Sequence, residues 1–298
     1  MKKKILSVIL VLGMVLGAAA CSKGNKSSKH RDDKSDRTTA VEDDDDYDKD
    51  NDREADQKAN NDYFIIHEYE SRLQLAGLTE EGKKQETLVI PAGVEICCDL
   101  SDGIVKHVSF ESDDDIDLKS LLNRSETLET VKLPANLTKI SSINNSPNLK
   151  EITIPKGVTE ISDLCFLGDK SLETVTIEGD ITRIGINAFK NCKSLKNISI
   201  PDSVTTIDNY AFSGCESLET ITLPKNLKVV GMYAFQTKNG VEKTFVVPEE
   251  MELEDWGSKS LPAFDMYDKE YTVKVVSGSW ADTHFDEVFC KPVNKEYA

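Results

Sequence analysis

Histidines, cysteines and an aspartate run are the residues of this chain whose types suit chemistry. A zinc site or a proton relay needs such groups to converge in one cleft. The four histidines, His30, His67, His107 and His284, are scattered along the chain and share no common position in its internal pattern. There is no G-x-S-x-G, H-E-x-x-H or phosphate-loop motif. No C-x-x-C occurs, and the adjacent pair Cys97-Cys98 lacks metal-ligand spacing. Asp46, Asp48 and Asp50 alternate as in a calcium loop. That loop needs Gly where Asn51 stands and Glu where Gln57 stands, so only weak, territorial cation binding is expected. No catalytic residue, metal ligand or cofactor is assigned, and the chain is expected not to be an enzyme.

The elements that position everything else are repeats. Ile154, Ile177, Ile200 and Leu223 stand 23 residues apart. Four residues after each anchor come Val158, Ile181, Val204 and Leu227; seven after, Ile161, Ile184, Ile207 and Val230. Twelve after, the residue is Phe each time: Phe166, Phe189, Phe212 and Phe235. Units this small cannot bury an apolar side alone and stack on their neighbours as a solenoid. The phrase L-x-x-[IV]-x-[IL]-P reads as a strand with period two, Val175 and Ile177 inward, Thr174 and Thr176 outward. Pro155, Pro201, Pro224 and Pro248 end it. Degenerate copies extend the pattern back to Leu88 and forward to Val247.

The stretch Ile200–Thr222, I-P-x-x-V-T-x-I-x-x-x-A-F-x-x-C-x-S-L-x-x-I-x, resembles the BspA-type leucine-rich repeat. The resemblance covers about residues 87–276 and is sharpest over 154–235. It implies a right-handed coil with a parallel sheet on its concave face, mainly β and loops. It also implies a bacterial surface protein that binds a protein or another cell, with no catalytic motif.

Cys192 and Cys215 both fall fifteen residues after an anchor and should stack in adjacent coils. Coils about 4.8 Å apart would allow a disulfide. Buried thiols packing as small hydrophobes are the other reading. Cys165 replaces the Ala of Ala188, Ala211 and Ala234, which fits packing, and reduced core cysteines are expected.

Residues 1–20 read as a signal peptide. Lys2 to Lys4 precede the apolar run Ile5–Leu16 and the small residues Gly17–Ala20. With Cys21 next, the segment resembles a bacterial lipoprotein signal, although Ala18 stands where a larger aliphatic is usual. The resemblance implies that Cys21 carries the lipid and anchors the chain to a membrane. An ordinary secretory signal cut after Ala20 is the other reading. Residues 21–62 read as a disordered acidic tether, too poor in apolar residues to offset the entropy of ordering. Residues 63–86 read as a hairpin cap, 87–248 as leucine-rich repeats and 249–298 as a C-terminal cap. In the latter, Tyr271–Val276 reads as the last strand, and Ser277–Phe285 as a turn entering a short closing helix.

At a formal charge of −17 the chain lacks the basic face that nucleic-acid binding needs. The outward sheet positions are Thr130 and Lys132, Glu151 and Thr153, Thr174 and Thr176, Asn197 and Ser199, Thr220 and Thr222. This small, mostly uncharged face has no aromatic platform for a sugar and suits a flat protein surface or extended peptide. Threonine also simply favours a solvated strand face. Ten residues after each anchor stand Leu164, Asn187, Tyr210 and Tyr233, with Met232 beside the last. Stacked tyrosines suit a contact surface; flank packing would place them equally well. The expectation is a monomeric, adhesin-like protein, membrane-anchored by its N-terminal lipid on the bacterial envelope and facing outside the cytoplasm. A structural or envelope-assembly lipoprotein without a soluble ligand is the alternative.

Overall fold

Because apolar residues return every 23 positions, the chain repeats one turn and lays each copy on the last. The computed structural model describes residues 62–140, 142–236, 243–251, 253–254, 257–258, 261–262, 271–289 and 293–298. All belong to one compact unit, Ala55–Ala298. The leader, Cys21, the acidic segment with its aspartate run, Trp256 and Cys290 lie outside the described residues.

The coils build a front sheet and, from the coil that starts at Ile154 onward, a side sheet, both parallel. The front sheet is made of the predicted strands and comes in three runs. Thr87–Ile90, His107–Phe110 and Thr130–Val131 form the first; Glu151–Ile154, Thr174–Ile177 and Asn197–Ile198 the second. The third joins Thr220–Thr222, Thr244–Val246, Tyr271–Val275 and Val293–Tyr297. The side sheet was not anticipated as strand. It pairs Glu160–Ile161, Arg183–Ile184, Thr206–Ile207 and Val229–Val230, one two-residue strand per coil. Its inward residues are Ile161, Ile184, Ile207 and Val230, all fully buried.

The ends are handled differently. The hairpin Phe64–Tyr69 and Arg72–Leu78 adds to Val94–Ile96, so the first coil's side strand does not end in an open edge. At the other end Tyr271–Val275 is not the last strand. Val293–Tyr297 pairs with it in parallel across five residues, after the short helices Trp280–Thr283 and Phe285–Val288. The sequence reading missed it because V-N-K-E-Y offers too few apolar residues for a strand signal. Ser279 caps the first helix, accepting from Asp282 N–H.

The core is a set of columns. Phe166, Phe189, Phe212 and Phe235 stack at centroid separations of 5.2, 5.2 and 5.5 Å with rings within 10° of parallel. Phe245 meets Phe235 edge-on at 5.2 Å and Tyr271 edge-on at 5.8 Å, which carries the ladder into the C-terminal strands. Such pairs contribute about 0.5–1.5 kcal/mol each beyond the area they bury. Cys192 and Cys215 are free thiols: Sγ of each donates to the carbonyl of Phe166 or Phe189, at 3.0 and 3.1 Å. Buried packing, not a disulfide, is their arrangement.

Candidate partner-binding surface

The residues expected to make contacts fall on two strips. The first is the front sheet. Period-two alternation turns Ile152, Val175 and Ile221 inward and leaves Thr153, Thr176, Asn197, Ser199, Thr220 and Thr222 exposed, with Thr174 half-buried. Parallel register sets Thr153 beside Thr176, and Thr174 between Glu151 and Asn197. Thr220 continues the row to Thr244 and Thr272. At the N-terminal end the row is marked by His107 Nδ1 at 2.9 Å from Thr130 Oγ1. Ion pairs Lys106–Glu86 (2.8 Å) and Lys196–Glu173 (3.0 Å) stand just before the strands. The strip is hydroxyl- and amide-rich and has no aromatic residue among its outward positions.

The second strip follows the side sheet in each coil. Leu164, Asn187, Tyr210 and Tyr233 all adopt left-handed backbone, with φ of 61, 56, 58 and 53°. Asparagine tolerates this region; leucine and tyrosine do so at a cost. The tyrosine rings lie 5.5 Å apart at 33°, both half-buried, and Lys190 Nζ sits 4.7 Å from the Tyr210 centroid. Leu164 and Ile186 are exposed on the same flank, at 42% and 37%, and Met232 is half-buried.

An alternating cap holds this flank in place. Asp163 Oδ1 accepts the Ile186 N–H at 2.9 Å, and Asn209 Oδ1 accepts the Met232 N–H at 2.7 Å. Both caps need glycine next door. A Cβ on Gly185 would fall 2.4 Å from Asp163 Oδ1, and one on Gly231 would fall 2.3 Å from the Asn209 nitrogen. Arg183 ties the arrangement together, reaching Asp163 and Asp208 at 2.6 Å and Glu160 at 3.4 Å. Sequence reasoning missed Arg183. Its signal was a lone cation in a column otherwise holding Glu160, Thr206 and Val229.

Among the described residues the histidines do not converge on one cleft. His67 lies in the hairpin and His107 in a front strand. His284 stacks on Trp280 at 4.6 Å, and Trp280 packs against the C-terminal core. Among the described residues no group of three metal-ligating side chains is present. No helix among them is long and apolar enough to cross a membrane. Two buried ionisable residues were also missed: Asp169 in the coil starting at Ile154, and Lys243, whose Nζ donates to the carbonyls of Cys215 (2.9 Å) and Leu218.

Comparison with family models agrees with the coil. The family model described as a BspA type leucine rich repeat region matches residues 114–242 in six copies. No curated protein matches the chain. Among solved structures the chain is similar to the pneumococcal vaccine antigen PcpA. The identity is 16% and the TM-score 0.39, over 72% of this chain and 68% of that one. It is similar to a leucine-rich repeat protein from Bacteroides ovatus at 19% identity and TM-score 0.39, over 79% and 66% of the two chains. A leucine-rich repeat protein of T. pallidum aligns at 22% identity and TM-score 0.35, over 73% and 71%. Residues 114–242 thus match a BspA-type leucine-rich repeat region, and the described residues form a solenoid of parallel strands around a phenylalanine ladder.

Proposed function

We propose that the chain is a non-enzymatic, lipid-anchored extracellular binding protein, adhesin-like, which takes a protein or peptide partner on the face of its solenoid. The supporting observation is the tyrosine strip. Tyr210 and Tyr233 are kept on strained, left-handed backbone beside exposed Leu164 and Ile186. Strained backbone clusters at ligand-binding sites, and here the left-handed position recurs in every coil from Leu164 to Tyr233, so what singles out the last two is the pair of rings. Tyrosine buries much area at small entropic cost, which suits a contact anchor. The threonine face of the front sheet is a flatter, second candidate strip. Cys21 is the lipid attachment site, and residues 22–62 hold the solenoid away from a bacterial membrane, outside the cytoplasm.

The test is a binding comparison with the protein partner recovered by crosslinking the full chain on intact cells. Tyr210→Ala/Tyr233→Ala should weaken that partner at least about tenfold, as loss of a hot spot does. Wild-type affinity in both this variant and Thr174→Lys/Thr220→Lys would sink the reading. Cys21→Ser should move the protein from the detergent phase to the aqueous phase on partition; continued detergent partition would remove the lipid from the account.

A further inference from the structure

One buried column combines groups that the partner-binding reading does not use. It runs Ser125, Ser146, Asp169, Cys192, Cys215, one residue per coil, and every member is buried, Asp169 completely. The rungs share a bonding pattern. Cys192 and Cys215 donate through sulfur to the carbonyls of Phe166 and Phe189. Ser146 Oγ donates to the carbonyls of Ile143 at 2.9 Å and Leu122 at 3.2 Å. Asp169 also accepts: Ser146 N–H donates to its Oδ1 at 2.7 Å, while the Asp169 and Cys192 N–H groups donate to the carbonyls of Phe166 and Phe189 at 3.3 and 3.1 Å. The serine and cysteine rungs thus carry a proton of their own, and the Asp169 rung accepts from the coil before it. Hydroxyls and thiols do both; an ionised carboxylate only accepts. Asp169 Oδ2 is buried with no hydrogen-bond partner among the described residues.

We propose that Asp169 is a neutral carboxylic acid, its Oδ2–H replacing the thiol or hydroxyl proton of its neighbours, and that it makes the joint between the Ser146 and Cys192 coils sensitive to pH. Burial holds the carboxyl well above the usual carboxylate range, against the opposing pull of the Ser146 N–H. The titratable groups facing it are the Cys165 thiol of its own coil and the Cys192 thiol of the next. Burial pushes both up, so both are neutral. No cation among the described residues stabilises an ionised form. The folded chain keeps this proton at pH values where the unfolded aspartate, near about 3.9, has released it. The resulting stabilisation is complete below that value and is lost as pH rises through the folded pKa. Within the window each pH unit lowers the folding constant up to about tenfold.

Thermal unfolding of the full chain between pH 4 and 9 tests this, with wild type beside Asp169→Asn and Asp169→Cys. Asparagine both accepts and donates, and cysteine is the residue of the next two rungs. All three share every other titrating group, so the differences isolate Asp169, for the cysteine variant below about pH 7.5, before an unfolded thiol titrates at about 8.5. The wild-type Tm should fall relative to both variants by about 3–5 °C per pH unit across the window. Wild-type and Asp169→Asn curves that stay parallel throughout would overturn the proposal. Should neither variant fold, the carboxyl ¹³C shift of Asp169 in the wild type decides. A protonated shift at pH 6 supports the neutral rung; titration near about 4 overturns it.

Discussion

Leu164 shows what a left-handed backbone position costs when the side chain returns little. Its φ is 61° and 42% of it is exposed, while Asn187 fills the same position one coil on. An L-residue with a branched side chain is crowded against its own carbonyl there, whereas asparagine is tolerated. Leu164→Asn should therefore stabilise the chain by about 0.5–1 kcal/mol, read as a higher urea midpoint with an unchanged slope. A lower midpoint would mean that Leu164 packs more than its exposure indicates. Tyr210 is a different case, because its ring recovers energy from Tyr233 and from Lys190 above it. The positive φ had one trace in the sequence, the asparagine in that column, but one Asn among Leu and Tyr is too weak a signal to fix a backbone angle.

At the scale of the element, the regular coils end at Lys243. Its ammonium satisfies the Cys215 and Leu218 carbonyls from a fully buried position. Burial lowers its pKa from the ordinary 10.5 to about 8, against the pull of Cys215, Glu219 and Glu216. The unfolded chain therefore binds more protons between about 8 and 10.5, and stability rises with pH there; the cost of the buried charge is fully present below about 8. Wild type should gain on Lys243→Met as pH rises through that window in denaturant titrations, and a flat difference would refute the assignment. Front strands were legible because L-x-x-I-x-I alternates over enough residues to be read. Side strands were not: E-I, R-I, T-I and V-V are two residues each, and only their inward member showed as a column. Lys243 was hidden by the 24-residue step from Leu223 to Val247, which shifts it out of the pattern. Asp169 was hidden because a column of Ser, Asp and Cys has no common hydropathy; what its members share is hydrogen bonding, visible only once the coils are stacked.

For the whole molecule, the repeats that made the fold legible also occupy its interior. Aliphatic columns and the phenylalanine ladder fill most of the interior, so apart from the buried Ser/Asp/Cys column and Lys243 the groups that differ from coil to coil lie mainly on the surface. That is why the candidate contacts could be read from the sequence by elimination, while their geometry could not. Tyr210 and Tyr233 do stack, yet they form a strip apart from the threonine face, and the sequence could not say how far the two would cooperate. The most direct measurement is protease shaving of intact cells that make the full chain, with released peptides identified by mass spectrometry. Release of peptides from the solenoid while a cytoplasmic marker stays inside is the predicted result. Peptides that appear only after lysis would contradict a solenoid displayed for binding at the cell surface.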